Sequence, residues 1–196
     1  MIHSTDRSGA FGASDTKYVM SKNRNTKTWK SWWDIKLGKA ENTFGSIYTE
    51  AGNKYEHPIL KAINEDMMLD GQIIHHRYLL RVNYDGFIDG TIYEVKTHKA
   101  DKAFEISTAY WQQAQVEMFV YQEKSKEWFL PPFRELYIVS YGLNEDEYYL
   151  DWDEIEVDPD RIIYHPVAYD KAWIKGEYIP KVRELARALK KGKFPG

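Results

Sequence analysis

The stretch "YDGFIDGTIYEVKT", residues 84–97, constrains this chain more than any other. Its centre, Asp89-Gly90, lies between Phe87-Ile88 and Thr91-Ile92. A two-residue type I′ loop needs positive φ at both central positions, and Asp-Gly adopts it at little cost. With those residues as the loop, Ile88 pairs with Thr91, and counting outward sets Asp85 opposite Glu94. Lys96 lies two residues on and projects from the same face as Glu94. Opposed side chains in an ideal ladder have Cβ atoms about 5 Å apart, and like charges there destabilise the sheet. Two readings stay open. In one, a hard divalent ion such as Mg²⁺ sits between the carboxylates, the Val95 carbonyl adds a ligand, and Lys96 polarises a water or stabilises phosphoryl charge. That set is equipped for metal-assisted phosphodiester hydrolysis. In the other, the hairpin is exposed and Lys96 merely pairs with Glu94.

Composition narrows the rest. With 196 residues and 43% hydrophobic content the chain can bury one substantial core, so a single domain over residues 1–196 is expected. The absence of cysteine excludes disulfides, thiol nucleophiles, Cys-ligated zinc and iron–sulfur clusters. No apolar run suits a signal peptide or a membrane span, which predicts a soluble, cytoplasmic protein. The net charge of −3 hides a division. Residues 1–40 carry eight Lys/Arg against three acids, and residues 181–196 carry six against one, while Asn144–Asp160 holds nine acids and no base. Basic ends and an acidic middle suit a protein that touches phosphate with selected surfaces, or simply one with solvated ends.

Along the chain, "GASDTKYVM" predicts a short helix with Ser14 or Asp15 near its N-cap. "SKNRNTKTWK" reads as a loop, and "SWWDIKLG" as the start of a helix in which Trp32 and Trp33 build core. A helical pattern runs from about Thr43 to Asp66. The strand "YLLRVNY", the hairpin, and a helix through "STAYWQQAQVEMFVYQEK" follow. That helix has an apolar stripe at Trp111, Ala114, Met118 and Tyr121, while Tyr110 and Gln113, three apart, share a face. A Gln there can orient a water or a scissile phosphate. After Pro131-Pro132, "RELYIVSYG" is a strand and "DEYYLDW" its expected partner. The C-terminal "AYDKAWIKGEYIPKVRELARALKK" is helical, with a kink or restart between Gly176 and Pro180. Strands bracketed by helices predict an α/β protein with a central mixed sheet and helices on its faces.

Four ordered segments, "RSGAFGAS", "GNKYE", "DGFIDGTIYEVK" and "AYWQQAQVEMFV", together resemble the YqaJ-type viral recombinase nucleases. These belong to the PD-(D/E)XK superfamily, with its restriction-endonuclease-like core and lambda exonuclease as a phage member. The resemblance runs from Arg7 to about Lys190. It implies that Asp85 and Glu94 bind the metals and that Lys96 acts on the nucleophilic water. Glu56 corresponds to the family's helical acid near the second metal site, and Tyr110 and Gln113 to its polar pair beside the active site. Arg7 and Ser14 correspond to the residues that hold a terminal 5′-phosphate, where a helix N-terminus would favour an anion. Tyr84 stands where the family often has proline, and "EVKT" replaces its commoner apolar-and-cysteine version.

The function implied is a Mg²⁺-dependent DNA exonuclease, with Mn²⁺ an alternative ion. It would degrade one strand 5′→3′ from double-stranded DNA ends by metal-activated water, in phage-type recombination. The family further implies a phage or prophage protein in a bacterial host, a single-strand annealing protein as partner, and a homo-oligomer such as a ring-shaped trimer. The rivals are an endonuclease or structure-specific nuclease on the same scaffold, and a catalytically idle DNA-binding recombination module. Arg24 and Trp29, in the expected loop, are candidates for contacting a strand end. His75, His76 and His98 lack a His-x3-His spacing, so histidine ligation is not expected. His57, beside Glu56, reads as a helix-surface residue.

Overall fold

The computed structural model describes residues 7–41 and 45–195. A five-stranded mixed sheet, in spatial order β1-β2-β3-β4-β5, forms its centre. Strands β1 (Met68–His75), β2 (Leu80–Ile88) and β3 (Thr91–Lys99) make an antiparallel meander. Strand β4 (Glu135–Leu143) returns parallel to β3, and β5 (Ile162–Pro166) closes the far edge antiparallel to β4. The parallel return requires a crossover, which α4 (Thr108–Lys124) supplies.

Helices cover both faces. On one face α3 (Ile47–Ile63) places Ala51, Tyr55, Ile59 and Leu60 against Val95, Val139 and Tyr141. Ser46 caps this helix by accepting the Thr49 N–H at 3.2 Å. The expected start of this helical pattern, at Thr43, falls outside the described residues. On the other face α4 packs with α1 (Thr16–Val19), α2 (Lys27–Lys36) and the C-terminal helix. That helix comprises α5 (Lys171–Trp173), a π-turn segment Ile174–Tyr178, and α6 (Ile179–Lys190). The wide turns before Pro180 absorb its missing N–H and ring, giving the irregularity expected there.

Three local readings are corrected. Helix α2 starts at Lys27 rather than after Lys30, because Thr26 caps it by accepting the Trp29 N–H at 3.2 Å. Helix α4 is buried through every residue from Ala114 to Tyr121 and not along one stripe, since it crosses beneath the sheet and is covered from behind by the Ala13–Asp15 turn, α1 and the π-turn segment Ile174–Tyr178. The segment "DEYYLDW" forms 3-10 turns, and β4 takes Ile162–Pro166 as its partner instead. Strand β1 was not anticipated; its residues are mostly half-buried, so no apolar alternation marks it.

Candidate active site

The hairpin forms with Asp89 and Gly90 at φ 50° and 85° and with Ile88, Phe87 and Gly86 paired to Thr91, Ile92 and Tyr93. The ladder stops there, so Asp85 and Glu94 stand one step beyond it and are not a paired rung as expected. Continued alternation would give the Val95 N–H to the Tyr84 carbonyl. Instead it donates to Asp85 Oδ2 at 2.9 Å. The Tyr84 side chain turns the other way, and its buried hydroxyl donates to the Glu117 carbonyl at 2.9 Å. This tyrosine thus ties β2 to α4 just where β2 leaves β3.

Into this opening side chains enter from both faces. Lys96 Nζ and Gln113 Nε2 both donate to Glu94 Oε1. Gln113 Nε2 gives its second hydrogen to Glu117 Oε1 at 2.9 Å. The Lys96 ammonium also lies 5.2 Å from the centroid of the Tyr110 ring. Glu94 and Glu117 are buried, and Glu117 Oε2 has no hydrogen-bond partner. From the opposite face α3 brings Glu56 near enough to interact electrostatically with Glu94.

The charges follow from this crowding. Burial, then repulsion from Glu94 and Glu56, holds the Asp85 carboxyl well above the usual carboxylate range. Burial and Glu94 do the same to Glu117. Burial and Glu94 push Glu56 up to about 7. Burial alone would pull Lys96 down, but Glu94 and Asp85 overcome it and keep the ammonium charged. Among the described residues, Lys96 is the one side-chain cation that acts on all four carboxyls, an arrangement that fits a divalent ion bound through oxygen. Asp85, Glu94 and Glu56 supply carboxylate oxygen. The Val95 carbonyl opens on the same side of the strand as the N–H that Asp85 accepts. One further cluster adjoins them. His57 Nε2 lies 3.0 Å from Asp70 Oδ2 and 3.9 Å from Glu56 Oε1, so a histidine does reach the edge of the carboxylate group.

Next to the opening is a cavity of about 230 Å³. Arg7 and Ser14 line it together with Arg81, Asn83, Asp85 and Gln113. Of the two expected N-cap residues, Asp15 stands at the N-cap of α1 and Ser14 does not. Gly12 precedes the first 3-10 turn and Ser14 lies inside it, with an exposed side chain. Helix α1 is only four residues long, so its dipole offers an anion little. The cationic character comes from Arg7, Arg81 and the buried Lys36. Asp15 fixes this wall, accepting from the Gly12 N–H at 2.7 Å and the Trp32 indole N–H at 2.8 Å and pairing with Lys36 at 2.6 Å. Lys36 Nζ reaches on to the Arg7 carbonyl at 3.2 Å. Burial lowers the Lys36 pKa, and Asp15 opposes that shift.

Two expected DNA contacts take other roles. Trp29 is buried in the aromatic core, where its indole donates to the Tyr18 carbonyl at 2.9 Å, so it has no face for a strand end. Arg24 makes a two-pronged ion pair with Glu184 and anchors its loop to α6. Two of the other candidate histidines are occupied as well, and His76 is exposed. His75 stacks on Tyr78 and Phe119, and His98 bonds the Lys99 carbonyl. Sequence reasoning missed Glu117, Lys36, Arg81 and Asn83. Arg81, Asn83 and Asp85 alternate along β2, so a period-two count outward from Asp85 would have found the last two.

No family model and no curated protein matches the chain. Solved structures do. The alkaline exonuclease LHK-Exo from Laribacter hongkongensis superposes with a TM-score of 0.64 at 16% identity, over 93% of this chain and 89% of that one. LHK-Exo in complex with dAMP gives 0.63 at 18% identity over the same shares. A phage related exonuclease from Haemophilus somnus 129PT gives 0.62 at 15% identity, over 93% and 92%. The chain has the fold of these exonucleases.

Proposed function

We propose that this protein is a Mg²⁺-dependent DNA exonuclease that engages a 5′-phosphorylated end of a linear duplex and releases nucleotides 5′→3′. One observation carries the reading: Arg7, Ser14 and Arg81 share a single cavity with Asp85 and Gln113. A terminal phosphate held by the first group puts the next phosphodiester beside the carboxylates. A terminal phosphate monoester carries more negative charge than an internal diester, so paired guanidinium groups at that place favour an end. The exonuclease names of the structural neighbours agree with this reading.

Asp85, Glu94, Glu56 and the Val95 carbonyl are the residues that would hold Mg²⁺, or Mn²⁺ in its place. The ion would supply Lewis-acid charge at the phosphoryl oxygens and a lowered pKa for water. Lys96, fixed by Glu94 and Tyr110, places positive charge where phosphoryl charge develops. Gln113 has both amide hydrogens committed to Glu94 and Glu117, so only its carbonyl remains. It therefore accepts from the attacking water and does not donate to the phosphate. Water oxygen bonds to phosphorus, the P–O3′ bond breaks, and the leaving oxygen departs as a 3′-hydroxyl. The complementary strand is left single-stranded, the substrate a strand-annealing partner requires.

The test compares three DNAs in Mg²⁺: linear duplex with 5′-phosphate, the same duplex with 5′-hydroxyl, and closed circles. The parent should digest the first fastest and leave circles intact. Asp85→Ala and Lys96→Ala should be inactive on all three, and Arg7→Ala should erase the preference for phosphate. Cutting of closed circles would establish the endonuclease alternative, and full activity of Asp85→Ala would refute the site.

A further inference from the structure

A second cationic hollow lies beyond the first. It has a volume of about 270 Å³ and is lined by Arg77 from the turn after β1 and by Arg183, Arg187 and Lys190 from α6. Tyr78 and Ala186 complete its wall. Two guanidinium groups lie against one ring, with Arg77 at 5.5 Å and Arg183 at 6.0 Å from the centroid of Tyr78. Stacking on a fixed ring holds both forks in place. None of the four cations has a carboxylate partner among the described residues. Glu184 is the one acid in α6, and Arg24 engages it, so the helix presents an uncompensated positive face.

The hollow is joined to the first cavity by a short, pinned segment. Arg77 lines one and Arg81 the other, four residues apart and so separated by no more than about 13 Å of chain. Between them the Phe11 N–H donates to the Leu79 carbonyl at 2.8 Å and the Arg81 N–H to the Phe11 carbonyl at 2.9 Å. A strand whose 5′-phosphate is seated against Arg7 and Arg81 ends there. A polyanion reaching past that end belongs to the complementary strand. None of the exposed large hydrophobic side chains among the described residues lines the hollow, as a site for a lipid surface would need.

We propose that Arg77, Arg183, Arg187 and Lys190 bind the phosphodiester backbone of the strand that is not hydrolysed, where it continues past the 5′-phosphorylated end. This rests on the exonuclease reading of the neighbouring cavity. Arginine forks suit paired phosphate oxygens, and the site needs no base recognition.

The test is fluorescence anisotropy in EDTA, where no hydrolysis occurs. The parent and Arg183→Ala/Arg187→Ala are titrated with a 5′-phosphorylated blunt duplex and with the same duplex carrying a 3′ single-stranded extension. The parent should bind the extended DNA more tightly. The double variant should lose most of that gain, and its salt slope on extended DNA should fall by about 1.4, two single-strand phosphate contacts. Arg183→Lys/Arg187→Lys should keep most of the slope, and Lys102→Ala/Lys126→Ala, at exposed positions elsewhere, should match the parent. Thermal melting checks that the variants are folded. A parent with no gain from the extension, or a gain that survives in the double alanine variant, overturns the proposal. So does loss of binding to anionic vesicles with no change on DNA. Digestion of the blunt duplex in Mg²⁺, measured in parallel, reports separately on the exonuclease reading.

Discussion

The crowded carboxyls should make the metal-free protein less stable as pH rises, and Glu56 allows the size of that effect to be worked out. Its carboxyl stands at about 7 in the folded chain against an ordinary 4.5. The folded state therefore holds a proton that the unfolded chain releases, and stability falls as pH rises from 4.5 to 7. Above pH 7 both states are ionised and the full penalty remains, on the order of 3 kcal/mol. For a chain of this size that corresponds to roughly 6–12 °C in melting temperature. Asp85 and Glu117 act in the same direction. His57, His75 and His165 act against it: burial lowers each, so their contribution to stability rises as pH climbs toward 6.5.

The clean measurement is accordingly a difference. Glu56→Gln keeps the shape and cannot ionise. Without divalent ions it should melt with the parent near pH 4.5 and several degrees above it at pH 8. Adding Mg²⁺ at pH 8 should raise the parent's melting temperature, because an ion that binds only the folded state stabilises it. The gain should shrink toward pH 5, where protons occupy the ligands, and should be smaller in Glu56→Gln at every pH. Equal melting of parent and variant at pH 8 in EDTA would show that Glu56 is not crowded by Glu94, and the proposed ion site would lose a ligand.

Three further outcomes follow from the packing. Gly90→Ala should destabilise by more than about 1 kcal/mol, since a Cβ would meet the Pro132 carbonyl oxygen at 2.0 Å and the position needs positive φ; an unchanged urea midpoint would contradict the hairpin geometry. Trp29→Ala should cost about 3–5 kcal/mol in urea unfolding, while Trp29→Phe should leave DNA affinity at the parent level, as expected of a core residue. Glu117→Gln should retain activity because its carbonyl still accepts from Gln113. Glu117→Ala frees that amide to turn and should slow hydrolysis; equal rates for the two variants would remove Glu117 from any positioning role.

What was legible in the sequence was local. The Asp-Gly loop and the register it sets were readable because positive φ at two successive residues has few solutions. The helix after Ser107 was readable from its N-cap, and Trp32 and Trp33 from their apolar character. Features that depend on what covers an element were not. Gln115 and Glu117, on different sides of α4, look solvent-facing in sequence, yet both are buried. Gln115 donates to the Ala168 carbonyl at 2.8 Å and accepts the Asp170 N–H at 2.6 Å, fixing the approach to the C-terminal helix. The aromatic run before Trp152 resembled a strand, but its acids repel one another and Arg161 draws Glu147 into an ion pair at 2.7 Å, leaving 3-10 turns. Strand β5 then forms from a shorter run that has little signal of its own.

The early end of the β2–β3 ladder is what makes these carboxyls a group. Had the rungs continued, Asp85 and Glu94 would face one another across a closed sheet. Glu56 on α3 and Gln113 on α4 would then stand on opposite sides of it. Because the Val95 N–H goes to a side chain and Tyr84 turns to α4, the sheet parts, and helices from both faces reach Glu94. A rung of backbone hydrogen bonds is given up, worth about 1 kcal/mol for each bond, and carboxyls are set at a separation that repels. Among the described residues Lys96 is the one side-chain cation that acts on all of them, and the hydrogen bonds from the Val95 N–H and Gln113 offset the rest only in part. The same parting leaves Asp85 on the wall of the cavity that Arg7 and Arg81 line. Substitutions that restored the rung, such as Asp85→Val with a β-branched partner at 94, should therefore raise stability while abolishing both ion binding and hydrolysis. A loss of stability in that variant would mean that the sheet parts for a reason other than the acids.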